Sequence, residues 1–132
     1  MSLLAPISLK EVKKAADHLD AEKAPGPNGF SARFFQVCWP IIHEDLFRMV
    51  RRSQKCNKIG GSSNSAFLAL IPKEKGASTF SRVHPISLCN TSYKIVTKIM
   101  ASRLKKILPS IIPENQGGFI KGRHILDNIV LV

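Results

Sequence analysis

Acidic side chains are scarce in this sequence: nine Asp and Glu stand against 20 Lys and Arg, a formal net charge of +11. The scarcity is local. Residues 1–47 hold five basic and six acidic side chains, net −1, whereas residues 48–132 hold fifteen basic and three acidic ones, net +12. A basic excess confined to one part of a chain is the electrostatic footprint of a polyanion site. A basic surface kept for solubility is the plain alternative. A membrane surface is a weaker third, since no helix candidate joins exposed Trp or Phe to a basic face. Long apolar runs are also missing. Nothing approaches the roughly 18–20 residues that span a bilayer. Residues 1–9 are too short for a secretory signal, and no small-residue cleavage site follows. The expectation is a soluble intracellular protein with no membrane partner. Cys38, Cys56 and Cys89 are odd in number and lack metal-knuckle spacing, which excludes a disulfide framework and a zinc finger. All three are expected to stay reduced, with Cys38, beside Trp39, in the core. His18, His43, His84 and His124 stand singly, with no Cys or carboxylate cluster to complete a metal site. Repeats and low-complexity tracts are absent.

What is present suits one small domain, or part of a larger one, with 44% hydrophobic residues for a core. Ser8-Leu9-Lys10-Glu11 reads as a capping box, and Leu9, Val12, Ala15, Ala16 and Leu19 share one face. This predicts a helix over 9–19 inside an N-terminal helical segment, 1–22. Lys23-Ala24-Pro25-Gly26-Pro27-Asn28-Gly29-Phe30 is a rigid turn segment. Ser31 caps a second helix, running through Phe34, Phe35 and Cys38 to Ile41, Ile42, Leu46, Phe47, Met49 and Val50. Pro40 lacks a backbone donor and predicts a kink or a break and restart. Residues 58–65 form a polar Gly/Ser loop, expected to be flexible. Residues 66–71 and 85–88 are short apolar runs that read as paired strands, with Pro85 at the start of the second. Thr91 or Ser92 caps a third helix, with Ile95, Ile99, Met100, Leu104 and Ile107 as its buried stripe; Pro109 stops it. A fourth helix begins near His124 and is still running at Val132. Ending on Ile129-Val130-Leu131-Val132, in mid-element, suggests a piece of a larger domain. The fold class is α+β, mostly helical, with one small hairpin.

Three stretches, taken in order and spacing, carry a resemblance that covers nearly the whole chain. The first is the turn segment at 23–30. The second runs from Leu70-Ile71-Pro72-Lys73 through Pro85-Ile86-Ser87-Leu88-Cys89-Asn90 to Tyr93-Lys94-Ile95, Lys98, Ala101 and Arg103-Leu104. The third is Gln116-Gly117-Gly118-Phe119-Ile120, Gly122-Arg123, Ile125 and Asp127-Asn128-Ile129. Together they resemble the reverse transcriptases of LINE-type (non-LTR) retrotransposons, especially the plant elements. The resemblance implies the fingers and the start of the palm of a right-hand polymerase, with the palm incomplete. It further implies a basic hairpin that closes on the incoming nucleotide. Lys73, Lys75, Arg82 and His84 lie in the matching segment, where cations would neutralise a triphosphate; an ordinary solvated loop is the alternative. Lys94, Lys98, Arg103, Lys105 and Lys106, with Lys121 and Arg123, can track the backbone of an RNA or DNA template or primer. The alternative is a helix whose lysines are merely wet.

Two positions depart from the family's usual residues. His84 stands where Arg is usual before Pro-Ile-Ser-Leu. A guanidinium is always charged and grips phosphate with a planar fork, whereas an imidazole is mostly neutral at pH 7, so nucleotide grip is expected to weaken. Asn28 stands for Asp and removes a carboxylate that would cap the turn or the second helix, although Asn can serve similarly. Polymerase chemistry needs carboxylates holding two metal ions about 3.5–4 Å apart. The resemblance places those Asp residues beyond Val132. None of the nine acids here matches one of those metal-binding Asp motifs, so no residue is expected to be catalytic and no cofactor to be held; Mg²⁺ and the deoxynucleotide belong to the parent enzyme. The expectation is a polymerase fragment, inactive alone. A small basic nucleic-acid-binding protein derived from such an element is the alternative. The final helix, expected to lose the cover of the absent palm, predicts marginal stability and self-association through apolar surface.

Overall fold

The computed structural model describes residues 3–76, 79–113, 116 and 120. Within them the chain is α+β and mostly helical, in the order α1 (Leu9–Asp17), α2 (Ala32–Val37), α3 (Trp39–Cys56), β1 (Ala66–Pro72), β2 (Val83–Cys89) and α4 (Thr91–Ile111). The strands form one antiparallel hairpin. The helix expected from His124, and the stability and self-association argument built on it, lie outside the described residues.

The capping box forms as the sequence predicts. The Glu11 amide donates to Ser8 Oγ at 3.3 Å, and the Ser8 amide to Glu11 Oε2 at 3.0 Å. α1 presents Val12, Ala15 and Ala16 to the core and lies against α2, α3 and α4. With Ile7, Phe35, Leu46, Val50, Ile95, Val96 and Ile99 these residues make one buried cluster. Burying a Val, Leu, Ile or Phe side chain contributes about 1.5–3 kcal/mol, so this cluster is the main source of stability in the helical body.

The break near Pro40 falls at Cys38, which ends α2 and starts α3. The Cys38 amide donates to Phe34 O at 2.9 Å, and Cys38 O accepts from the Ile42 amide at 3.1 Å. Pro40 occupies the first turn of α3, where an amide would have no intrahelical partner. Cys38 itself is only half-buried, not the core residue expected.

Three expectations for α4 need correction. Its N-cap is Asn90, not Thr91 or Ser92; the Thr91 hydroxyl instead donates to Phe30 O at 2.7 Å. The helix runs two residues past Pro109 to Ile111. Pro109 lies on the exposed side near the end, where losing one backbone bond to the solvated Lys105 turn costs little. The buried stripe is Ile95, Val96, Ile99 and Arg103, whereas Met100 is 56% exposed and Leu104 and Ile111 are exposed too. The helical body covers α4 only along the first face.

The hairpin pairs Ala66 with Cys89, Leu70 with Pro85 and Pro72 with Val83. Both strands are longer than the apolar runs that announced them. β1 and β2 pack mainly on each other, and Phe67 and Leu68 stay exposed.

Candidate nucleic-acid interface

Two distant sequence stretches meet at the base of the hairpin. Gly26 to Gly29 form a turn closed by the Gly29 amide on Gly26 O at 3.0 Å. Pro27 takes the second position, where its fixed φ fits, and Gly29 has φ +75°. Gly26 lies directly against the junction of β2 and α4. A Cβ on it would come within 2.4 Å of the Asn90 nitrogen and 2.5 Å of the Cys89 carbonyl carbon. Only glycine fits there. The Asn90 side chain then ties three segments together. Its Oδ1 accepts from the Asn28 amide at 3.0 Å, and its Nδ2 donates to Ser62 O at 2.9 Å. Buried in this role, Asn90 makes no side-chain cap to α4. Asn28, the residue departing from the usual Asp, accepts from the Phe30 amide at 3.1 Å through Oδ1. Capping of the turn needs only that oxygen, which the amide retains. Ser31 caps α2 itself.

The far end of the hairpin carries the predicted basic group. Lys73 and Arg82 face each other where the strands end: the Lys73 amide donates to Arg82 O at 2.9 Å, and Lys73 Nζ to Ser81 O at 2.9 Å. Arg82 Nε lies 3.3 Å from Glu74 Oε1, with both side chains exposed. Such exposed pairs contribute only about 0–1 kcal/mol, so Glu74 holds Arg82 loosely. Lys75 is exposed on the turn, and Phe80, in a single 3₁₀ turn, is 84% exposed. His84 pairs with Ile71 one step inside the tip. The four residues expected to act together therefore do share one end of the hairpin.

The predicted positive set on α4 divides. At 100° per residue, Lys94, Lys98 and Lys105 fall within about 40° of one another on the helix. Lys105 and Lys106 are exposed, whereas Lys94 and Lys98 are half-buried. Lys94 Nζ donates to Ala24 O at 3.2 Å, a further tie to the turn segment. Arg103 does not belong to the outer surface, and the expectation that it contacts nucleic acid is corrected here. Its side chain is 8% exposed, and Nε lies 2.8 Å from Glu11 Oε1 while Nη2 lies 2.9 Å from Glu11 Oε2. The same guanidinium donates to the carbonyls of Leu3, Ala5 and Pro6. With its fork saturated, it holds the chain's first segment against α4. The Arg103 hydrogen bonds are the largest influence on Glu11, and they hold its carboxyl down at about 2 from an ordinary 4.5. Lys121 and Arg123 lie outside the described residues.

Sequence reasoning passed over one group of cations. Arg48, Arg51, Arg52 and Lys55 lie at i, i+3, i+4 and i+7 on α3, and all are exposed. That spacing was the available signal. Among the described residues no three His, Cys, Asp or Glu side chains gather as a metal site. Nor, among those residues, is any helix long and apolar enough to cross a membrane.

No family model matches the chain. It is 34% identical over 130 residues to the Transposon TX1 uncharacterized 149 kDa protein of Xenopus laevis. The match takes in 98% of this chain and 10% of that protein, so the chain spans about a tenth of the length of the curated relative it matches. An identity of this level over nearly every residue makes the chain a relative of one segment of a transposon-encoded protein.

Proposed function

We propose that the chain is the fingers and early palm of a reverse transcriptase from a LINE-type, plant-like non-LTR retrotransposon. In this reading it contributes contacts to the incoming deoxynucleotide and to the template and primer of RNA-directed DNA synthesis. The observation that carries the reading is the hairpin. Lys73, Lys75 and Arg82 stand at its free end, while its base is locked by Gly26, Asn28 and Asn90. An arm anchored at one end and cationic at the other suits closure on a triphosphate, whose charge must be neutralised during transfer. Arg82 exchanges Glu74 for a phosphate oxygen at little cost, because an exposed pair gives up little on breaking. Lys98, Lys105 and Lys106 on α4 supply backbone contacts that give affinity without reading sequence. The transposon relationship supports the same reading from outside the geometry.

Photocrosslinking with an azido-deoxyadenosine triphosphate tests the nucleotide contact. The label is expected on residues 73–84, reduced several-fold by the Lys73→Ala/Arg82→Ala pair and increased by His84→Arg. Equal labelling of the wild type and the double variant would remove the hairpin tip from the nucleotide site.

A further inference from the structure

We propose that the last turns of α3, with Lys58 just beyond its cap, form a second surface for the phosphate backbone of single-stranded RNA, distinct from the hairpin tip and from α4. The inference rests on the nucleic-acid reading above and adds a site to it.

Leu46, Val50 and Ser53 point into the core. At 100° per residue, Arg48, Arg51, Arg52 and Lys55 fall on the opposite side, within about 100° of arc and along about 10 Å of helix. All four are exposed, as is Lys58. The sequence has no acidic residue between Asp45 and Glu74, so nothing within this stretch cancels their charge. The nearest acids, Glu44 and Asp45, precede the cluster, and Asp45 is engaged by Arg48 in an exposed pair at 3.1 Å. Among the described residues no hydrogen bond or ion pair engages the head groups of Arg52, Lys55 or Lys58.

A purely structural role does not account for the pattern. Cations near a helix C-terminus offset its macrodipole, but that effect fades within the last turn. It explains Lys55 and does not reach Arg52, which precedes the last turn and has no protein partner among the described residues. Three of the four α3 residues are Arg, whose planar fork meets phosphate oxygens in pairs. Beside the stripe an open groove of about 550 Å³ is lined by Leu9, His43, Glu44, Phe47, Arg48 and Arg51. The Arg51 guanidinium stands 5.8 Å from the Phe47 ring and donates to Ile7 O at 3.4 Å, which fixes its direction. Phe47 itself is half-buried against the core with Arg51 over its ring, so the surface offers charges that track a flexible phosphate backbone rather than a platform for a base.

The test is fluorescence anisotropy of a short labelled single-stranded RNA over a salt series. One variant carries Arg52→Gln, Lys55→Gln and Lys58→Gln, sparing Arg51 and Arg48 with their protein partners. A control loses the same charge elsewhere, through Lys10→Gln, Lys23→Gln and Arg33→Gln; a thermal melt verifies that both fold. Each lost single-strand phosphate contact removes about 0.7 from the salt slope, so the α3 variant should lose about 2 and bind on the order of tenfold more weakly. The control should keep the wild-type slope. If the wild type binds no RNA, the nucleic-acid reading falls and this site with it. If the wild type binds and the α3 variant keeps its slope, or the control weakens equally, the α3 surface is overturned while the reading of the hairpin and α4 stands.

Discussion

Arg103 and Glu11 are 92 positions apart, yet their pairing determines how the first segment of the chain is held. The capping box made Glu11 legible as a helix start, because its spacing is local. Nothing in the sequence announced that the other side of that carboxylate would receive a guanidinium, since the pairing depends on α1 crossing α4. Taken as one basic residue among several, Arg103 looked like a phosphate contact; burial makes it a structural cation. Glu11 keeps 22% of its side chain exposed, so removing the guanidinium strands a partly solvated carboxylate, at a cost of about 1–3 kcal/mol. Arg103→Met should therefore lower the melting temperature sharply, whereas Lys105→Met, at an exposed site, should barely change it. The pH dependence follows from the same pair. The folded-state carboxyl of Glu11 lies at about 2, below its ordinary 4.5. Its contribution is thus complete above about pH 4.5 and is lost as the pH falls toward 2. Acid melts should show this loss in the wild type, and Glu11→Gln should flatten that part of the profile. An unchanged profile in Glu11→Gln would mean the carboxylate is not held by Arg103 in solution.

The junction of the turn segment with the hairpin base and α4 depends on Gly26 in the same way. Its two flanking prolines made the segment legible as a rigid turn, and the structure adds what the turn touches. Alanine at 26 would drive a methyl into backbone atoms that cannot rotate away. Overpacking of this kind costs about 1–3 kcal/mol, here at the point that orients the hairpin. Gly26→Ala should lower thermal stability by that amount and also weaken nucleotide crosslinking at 73–84; Gly60→Ala, with open space around it, should do neither. Loss of stability without loss of crosslinking would show that the turn does not aim the hairpin. The α2–α3 break was readable because Pro40 acts on its own turn. The N-cap at Asn90 was as readable as Thr91 or Ser92, since Asn caps as well as Ser and better than Thr; what local sequence does not show is that its side chain goes to Asn28 and Ser62 and not to the helix amides. Likewise the spacing on α4 identified a helix but not its buried side, which α1 selects.

Across the whole molecule, the partition of charge was legible from composition, and the hairpin from two apolar runs. Less so was the hairpin's bareness. Alternation gives one covered face and one wet face when a sheet packs on something, whereas here apolar residues line both. Register places Leu68, Leu70 and Pro85 on one face and Phe67, Ile71, Ile86 and Leu88 on the other. Phe67 is 58% and Leu68 64% exposed, with Leu70, Ile71 and Ile86 exposed as well. Among the described residues neither outer edge of the ribbon pairs with a further strand, and such edges can pair with another chain. About half of each such side chain is still open, so covering it is worth about 1 kcal/mol, and five together are enough to drive association of copies once charge repulsion is reduced. The net charge of +11 opposes that approach, and salt screens it. Self-association should therefore rise with salt, the opposite sign to RNA binding, so one salt series separates the two. Sedimentation velocity should show a monomer at low salt and larger species at high salt. Phe67→Thr with Leu68→Thr, polar yet suited to a strand, should suppress the larger species and leave the melting temperature nearly unchanged. A wild type that stays monomeric at high salt, or a double variant that melts several degrees lower, would mean that these faces are covered within the single chain in solution.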